Sequence, residues 1–126
     1  MNPLNILLVE DNVLNQKLIF LNLSKFGHQI DVADNGKVAV DKVKNNKYDI
    51  VIMDLMMPVM DGIEATRNIR EWEKDKTFKT CIIGLTANTF DADRDKCLAN
   101  GMDEYMAKPF NLKLFDNLLR ELDIVK

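Results

Sequence analysis

Five side chains stand where apolar runs give way to polar residues, and their types suit the handling of an anion. Asp54 ends the run Ile50-Val51-Ile52-Met53. Glu10 and Asp11 follow Leu7-Leu8-Val9, Thr86 follows Ile83-Gly84-Leu85, and Lys108 follows Met106-Ala107. A lone acid after a strand is equally well explained as a turn or helix cap; four further side chains of complementary chemistry at three other strand ends shift that balance. Carboxylates brought together repel, by roughly 4 kcal/mol for two charges about 4 Å apart at an effective dielectric of about 20. A cation must offset this. Oxygen donors with open positions suit a hard ion that keeps its waters, Mg2+ or Mn2+. The ammonium of Lys108 and the hydroxyl of Thr86 on the same rim suit an anion that arrives and leaves. If that anion is a phosphoryl group, Asp54 is placed to act as nucleophile and form an aspartyl phosphate. Lys108 and Thr86 would each hold one of its oxygens, a matter of positioning and charge stabilisation.

The elements that must position these residues alternate along the chain. Leu4 to Val9 reads as a first strand, followed by a helix from Asn12 to about Phe26 with Leu14, Leu18 and Leu21 on one face. Gly27 sits where a left-handed residue closes a helix, and His28, next in sequence, reads as a solvent-facing turn residue. His28 to Ala33 is a less apolar strand that suits a sheet edge. Lys37 to Asn45 is a helix with Ala39, Val40 and Val43 inward. Asp49 to Met53 is a strand buried on both faces, and Gly62 to Lys74 a helix carrying Ala65, Ile69 and Trp72. The connector Lys74-Asp75-Lys76-Thr77 reads as solvated. Thr80 to Leu85 is the fourth strand, Thr89 to Asn100 a polar helix stopped by Gly101, and Asp103 to Ala107 a short fifth strand. Asn111 caps a last helix with Phe115, Leu118, Leu119 and Leu122 inward. This alternation predicts a parallel sheet with helices on both faces, because parallel strands need crossover connections. The five-stranded, five-helix solution is the flavodoxin-like α/β fold, doubly wound with strand order 2-1-3-4-5. Its crevice lies between the carboxyl ends of strands one and three, where Glu10, Asp11 and Asp54 fall.

The 126 residues suit a single domain spanning 1–126. Apolar content of 47%, charged content of 29% and a net charge of −3 describe a globular chain without a basic cluster, which argues against nucleic acid as a direct partner. No apolar run approaches the roughly 20 residues that span a bilayer, and the N-terminus lacks the parts of a signal peptide. No membrane association and a cytoplasmic location are the expectation. Cys81 and Cys97 lack metal-ligand spacing and read as small buried thiols. Met53, Met56, Met57 and Met60 lack the Cys or His that a soft-metal site would need; Met53 reads as core and the others as loop contacts.

Over essentially its whole length the chain resembles the receiver domains of two-component response regulators. The residues that carry the likeness are Leu7-Leu8-Val9-Glu10-Asp11-Asn12, Met53-Asp54-Leu55-Met56-Met57-Pro58-Val59-Met60-Asp61-Gly62, Leu85-Thr86-Ala87-Asn88 and Lys108-Pro109. The resemblance implies that Asp54 is the phosphoacceptor. It implies that Glu10, Asp11, Asp54 and the backbone carbonyl of Met56 hold Mg2+. It makes Thr86 a switch hydroxyl, Tyr105 a switch aromatic, and Lys108 the phosphate's ion-pair partner, joined to Pro109 by a cis bond. The phosphoryl group would come from a phosphohistidine of a histidine kinase or histidine phosphotransfer protein, since His28 is badly placed to donate it. Asn12, Asn15, Gln16 and Thr86-Ala87-Asn88 are similar to receivers of hybrid histidine kinases, which often dock a helical bundle on the first helix. Met56 and Asn88 hold positions that in the family influence phosphate lifetime.

Three other readings fit less well. A flavin binder on this fold needs donors, not Glu10-Asp11, after strand one to hold a phosphate. A phosphatase working through an aspartyl phosphate resembles a pattern with a second Asp two residues after the nucleophile, where this chain has Met56. The implied chemistry is therefore confined to phosphorylation and dephosphorylation of Asp54 itself, without turnover of outside substrates. A binding module that is never phosphorylated would have no use for the intact acid and lysine set. Added phosphate charge at one rim is expected to bias the face made by the fourth helix, fifth strand and fifth helix.

Overall fold

The computed structural model describes residues 3–87 and 91–122. Five strands form one parallel sheet in the order β2-β1-β3-β4-β5: β1 (Asn5–Val9), β2 (Gln29–Ala33), β3 (Ile50–Asp54), β4 (Ile82–Thr86) and β5 (Glu104–Ala107). The connecting helices are α1 (Val13–Ser24), α2 (Gly36–Asn45), α3 (Gly62–Glu73), α4 (Asp91–Ala99) and α5 (Leu112–Glu121). Every residue of β3 and β4 is buried, as near-continuous apolar strands covered on both faces require. β2 alternates between exposed and covered positions and lies at the edge, as its composition led us to expect.

The sheet divides the core in two. One layer packs Val9, Val51, Met53 and Ile82 against Ala39, Val43, Ala65 and Ile69 of α2 and α3. The other packs Leu8, Ile52, Ile83 and Leu85 against Ile19, Leu23, Phe115 and Leu119 of α1 and α5. Polar side chains start the helices: Asn12, Asn35, Asp61 and Asn111 each accept a hydrogen bond from the backbone N–H three residues on, satisfying a donor that the helix cannot.

Two expectations fail. Leu14, Leu18 and Leu21 do not form the inner face of α1; they are 67, 53 and 59% exposed, and the buried stripe is Ile19 and Leu23. The helix is apolar nearly all round, so spacing left several faces equally plausible. His28 is not in solvent either. It is 8% exposed, and its Nδ1 accepts a 3.0 Å hydrogen bond from the backbone N–H of Leu4. The proposed start of α4 at Thr89 falls outside the described residues, as does Asn88. Among the described residues, no helix is long and apolar enough to cross a membrane.

Candidate functional site

β1 and β3 are hydrogen-bonded neighbours, with Val9 in register with Met53, so both strands empty their acids into the same crevice. The chain leaves β1 toward β2 and returns on the far side for β3, which holds the crevice open at their carboxyl ends. Asp54, the last residue of β3, is 2% exposed; Glu10, one residue past β1, is 1% exposed; Asp11 is exposed. One carboxylate oxygen from each of the three lies within 4.8 Å of the other two.

Lys108, one residue beyond β5, reaches across the mouth of the sheet. Its Nζ lies 3.1 Å from Asp54 Oδ2 and 3.4 Å from Glu10 Oε1. Glu10 Oε1 is buried and makes no hydrogen bond; the ammonium is close enough for charge attraction but not aligned to donate. Burial, with Asp54 beside it, pushes the Glu10 carboxyl above the usual carboxylate range, and Lys108 only partly opposes this. For Lys108, burial works against the charged form, yet the pull of Asp54 and Glu10 prevails and holds its pKa above the ordinary value. One cation thus serves two buried acids. An orphaned buried oxygen among three carboxylates fits a hard divalent ion, whose charge would complete the balance.

Backbone geometry supports the cluster. The N–H of Met56 donates to Asp54 Oδ1 at 3.3 Å, and the N–H of Asp11 to Glu10 Oε2 at 3.1 Å. The Met56 side chain points to solvent. Lys108 N–H donates to the carbonyl of Thr86 at 2.7 Å, tying the two rim residues together, and the Lys108–Pro109 bond is cis. Thr86 is buried as the last residue of β4, in register with Ala107. Tyr105 is half-buried on β5 and packs at the margin of the α2–α3 core layer. All five rim residues therefore converge on one end of the sheet, with Tyr105 on β5, the strand that leads to Lys108.

Sequence reasoning missed two contributors. Gln16 Nε2 donates to the backbone carbonyl of Glu10 and, at 2.9 Å, to Asp34 Oδ1, so the loop after β2 also braces the acid pair. Asp34 had no signal beyond its place in a turn. Gly62, which the sequence marked only as a helix start, is fixed by packing: a Cβ there would lie 2.2 Å from the carbonyl oxygen of Asp54. The start of α3 comes so close to the Asp54 backbone that only glycine fits. Beside the cluster, a cavity of about 400 Å3 opens between α1 and the β5–α5 loop, with Glu10, Leu18, Lys108 and Phe110 in its walls.

Comparisons with known proteins agree with this geometry. The family model described as the response regulator receiver domain matches residues 6–120. The chain is 43% identical over 119 residues to hybrid signal transduction histidine kinase I of Dictyostelium discoideum, covering 90% of this chain and 7% of that protein. It is 41% identical over 115 residues to histidine protein kinase 1 of Candida albicans, covering 85% of this chain and 5% of that one. The chain thus spans a small fraction of the curated relatives it matches. Among solved structures, the receiver domain of sensor histidine kinase PA1611 from Pseudomonas aeruginosa, with magnesium coordinated in its active-site cleft, is 39% identical with a TM-score of 0.84, covering 95% of this chain and 97% of that one. The Saccharomyces cerevisiae receiver domain of Ssk1, in a co-crystal with the histidine phosphotransfer protein Ypd1, is 36% identical with a TM-score of 0.87, covering 94% and 88%. With the family model spanning nearly all of the described fold and relatives this close, the chain belongs to the response regulator receiver domain family.

Proposed function

We propose that the chain accepts a phosphoryl group on Asp54 from a phosphohistidine of a histidine kinase or histidine phosphotransfer protein, and that the new charge switches a partner-binding surface. Residues 1–126 would act as one receiver unit, working in the cytoplasm. The observation that carries this reading is one ammonium, Lys108, shared between two buried carboxylates beside a third acid. Glu10, Asp11, Asp54 and the backbone carbonyl of Met56 would hold Mg2+, with Mn2+ an acceptable substitute. The bound ion would neutralise the acids and draw the phosphoryl oxygens toward the crevice. An oxygen of Asp54 attacks phosphorus, forming the O–P bond as the donor's N–P bond breaks and the histidine nitrogen departs with the electron pair. Lys108 stays charged throughout and moves its attraction from the carboxylate to the incoming phosphoryl oxygens. Thr86 takes another oxygen, and Tyr105 follows it inward. The only chemistry proposed is gain and loss of phosphate at Asp54, with no outside substrate turned over.

The exposed apolar face of α1 suits the docking of the donor's helices, since Leu18 lines the same cavity as Lys108 and Phe110 and Leu14 is exposed on the same helix. Readout is assigned to the α4-β5-α5 face, where added charge at the rim biases the elements nearest Thr86 and Lys108.

Intact mass after incubation with a small acyl phosphate tests the reading. The expected result is a single phosphoryl adduct that requires Mg2+ and disappears in Asp54→Asn. An adduct that persists in the variant would place the chemistry elsewhere. Absence of both an adduct and Mg2+ binding would favour a binding module that is never phosphorylated.

A further inference from the structure

Parallel strands have two ends, and the amino ends of this sheet carry a second concentration of chemistry that the phosphoacceptor site does not use. Tyr48 and Thr80 lead into β3 and β4 there, and α2 and α3 end beside them. A cleft of about 380 Å3 lies between these elements, a size that suits a small ligand. Four lysines, Lys44, Lys47, Lys76 and Lys79, line it together with Trp72 and Phe78. Among the described residues no carboxylate lines it, although the chain as a whole carries a net charge of −3.

The aromatic pair supplies a surface for a planar group. Trp72 and Phe78 meet edge to face, with centroids 5.9 Å apart and planes at 64°, and Phe78 remains exposed. Lys76 Nζ stands 5.2 Å from the centre of the Trp72 ring. An exposed ammonium over an indole is a contact that a stacked ring and its anionic tail would replace at little loss. The connector is solvated as expected, all four residues exposed, and Lys76 alone turns back onto the cleft.

Helix ends decide what the site excludes. The C-termini of α2 and α3 carry partial negative charge, which by itself would repel an anion. At the end of α2 two carbonyls are already engaged by asparagine side chains. Asn45 Nδ2 donates to the Asp41 carbonyl at 2.7 Å, and Asn46 donates to the Lys42 carbonyl from both its backbone N–H and its side chain. Those amide nitrogens are spent on the helix, so each Asn keeps an oxygen that accepts hydrogen bonds, as an exocyclic amino group would require.

We propose that this cleft binds a nucleoside phosphate, the base against Trp72 and Phe78 and the phosphates among Lys44, Lys47 and Lys79. An acidic peptide would satisfy the lysines, but a cleft of this volume, bounded by two helix ends, matches one compact planar anion better than an extended chain. Such a site lies at the pole opposite Asp54 and is independent of the phosphoacceptor chemistry.

Trp72 is the only tryptophan, so its fluorescence reports on the cleft alone. The titration uses the Asp54→Asn chain in EDTA, which removes the acid cluster as a competing phosphate site. ATP is expected to quench Trp72 saturably, and adenosine or inorganic phosphate to bind more weakly by about tenfold or more. Lys44→Glu with Lys47→Glu should weaken ATP by about tenfold or more while circular dichroism stays unchanged. In amide NMR spectra of the unsubstituted lysine chain, ATP should shift residues 44–48 and the Trp72 indole, a readout that survives if the double variant misfolds. The proposal is overturned by the absence of saturation or by NMR shifts confined to the Asp54 pole. It is equally overturned if inorganic phosphate matches ATP, or if an acidic peptide outcompetes it.

Discussion

His28 accepts from the Leu4 N–H through Nδ1, a bond available only to the neutral ring. Burial lowers its pKa from the ordinary value near 6.5, and the attraction of Asp116 offsets this only in part. The folded state therefore binds the proton less readily than the unfolded chain. The stability this contributes is fully present above about pH 6.5 and is lost as pH falls from there through the lower folded-state value. Because there is one histidine, its ring resonance is unambiguous in an NMR titration. A midpoint at or above that of a free histidine would contradict the buried neutral ring. Asp54 gives a second prediction of this kind. Metal-free, it and Glu10 compete for one ammonium, so Asp54→Asn should raise stability by about 1 kcal/mol, or a few degrees in Tm. Saturating Mg2+ should shrink that gap, since ion binding stabilises the intact acid set. Chemical denaturation with and without Mg2+ checks both halves; a less stable variant under metal-free conditions would refute the shared-cation account.

Among the elements, α3 is fixed to the far half of the sheet by one guanidinium. Arg70 donates to the carbonyls of Gly101 at 2.8 Å and Thr80 at 2.7 Å, and to the carboxylates of Glu73 at 2.8 Å and Asp103 at 3.0 Å. Asp103 in turn accepts from the Ile82 N–H, and Glu73 from the Thr80 N–H, so both acids hold the entry to β4. Arg70→Ala would strand a buried Glu73 without its cation and leave the half-buried Asp103 only the exposed Lys79, 3.3 Å away. A loss of about 3 kcal/mol is expected, with hydrogen exchange rising first at the α4–β5 turn. An unchanged denaturation midpoint would mean that the network is ornamental. The turn is otherwise held by Gly101, whose φ of +106° lets the chain reverse after α4.

At the scale of the molecule, the two poles of the sheet differ in charge and the flank at α1 differs in polarity. A helix that begins three residues past Glu10 and leaves Val13, Leu14, Leu18 and Leu21 in solvent has its cover supplied from outside if the proposed donor docks there. Leu14→Glu with Leu18→Glu should therefore slow transfer from a phosphohistidine protein by about tenfold or more. Both residues lie outside the core, so the rate with a small acyl phosphate should be unaffected. Equal slowing with both donors would show that the substitutions damage the crevice rather than a docking surface.

Much of this arrangement was legible in the residues themselves. Apolar runs ending in Asp54, Glu10-Asp11, Thr86 and Lys108 foretold both the parallel sheet and the acids gathered at one rim, because strand burial and crossover handedness leave few topologies. Helix starts were legible at Asn12 and Asn111, which announce themselves by capping chemistry. Periodicity could not say which side of α1 faces inward, as a helix apolar on most sides has no preferred face until α5 and the sheet compete for it. Neither the burial of His28, nor the close approach of Gly62 to Asp54, nor the bracing of Glu10 by Gln16 and Asp34 has a local signal. Each depends on contacts between segments distant in sequence. The same holds for the lysines around Trp72, which are scattered charges along the chain and become one cleft only when α2 and α3 end side by side.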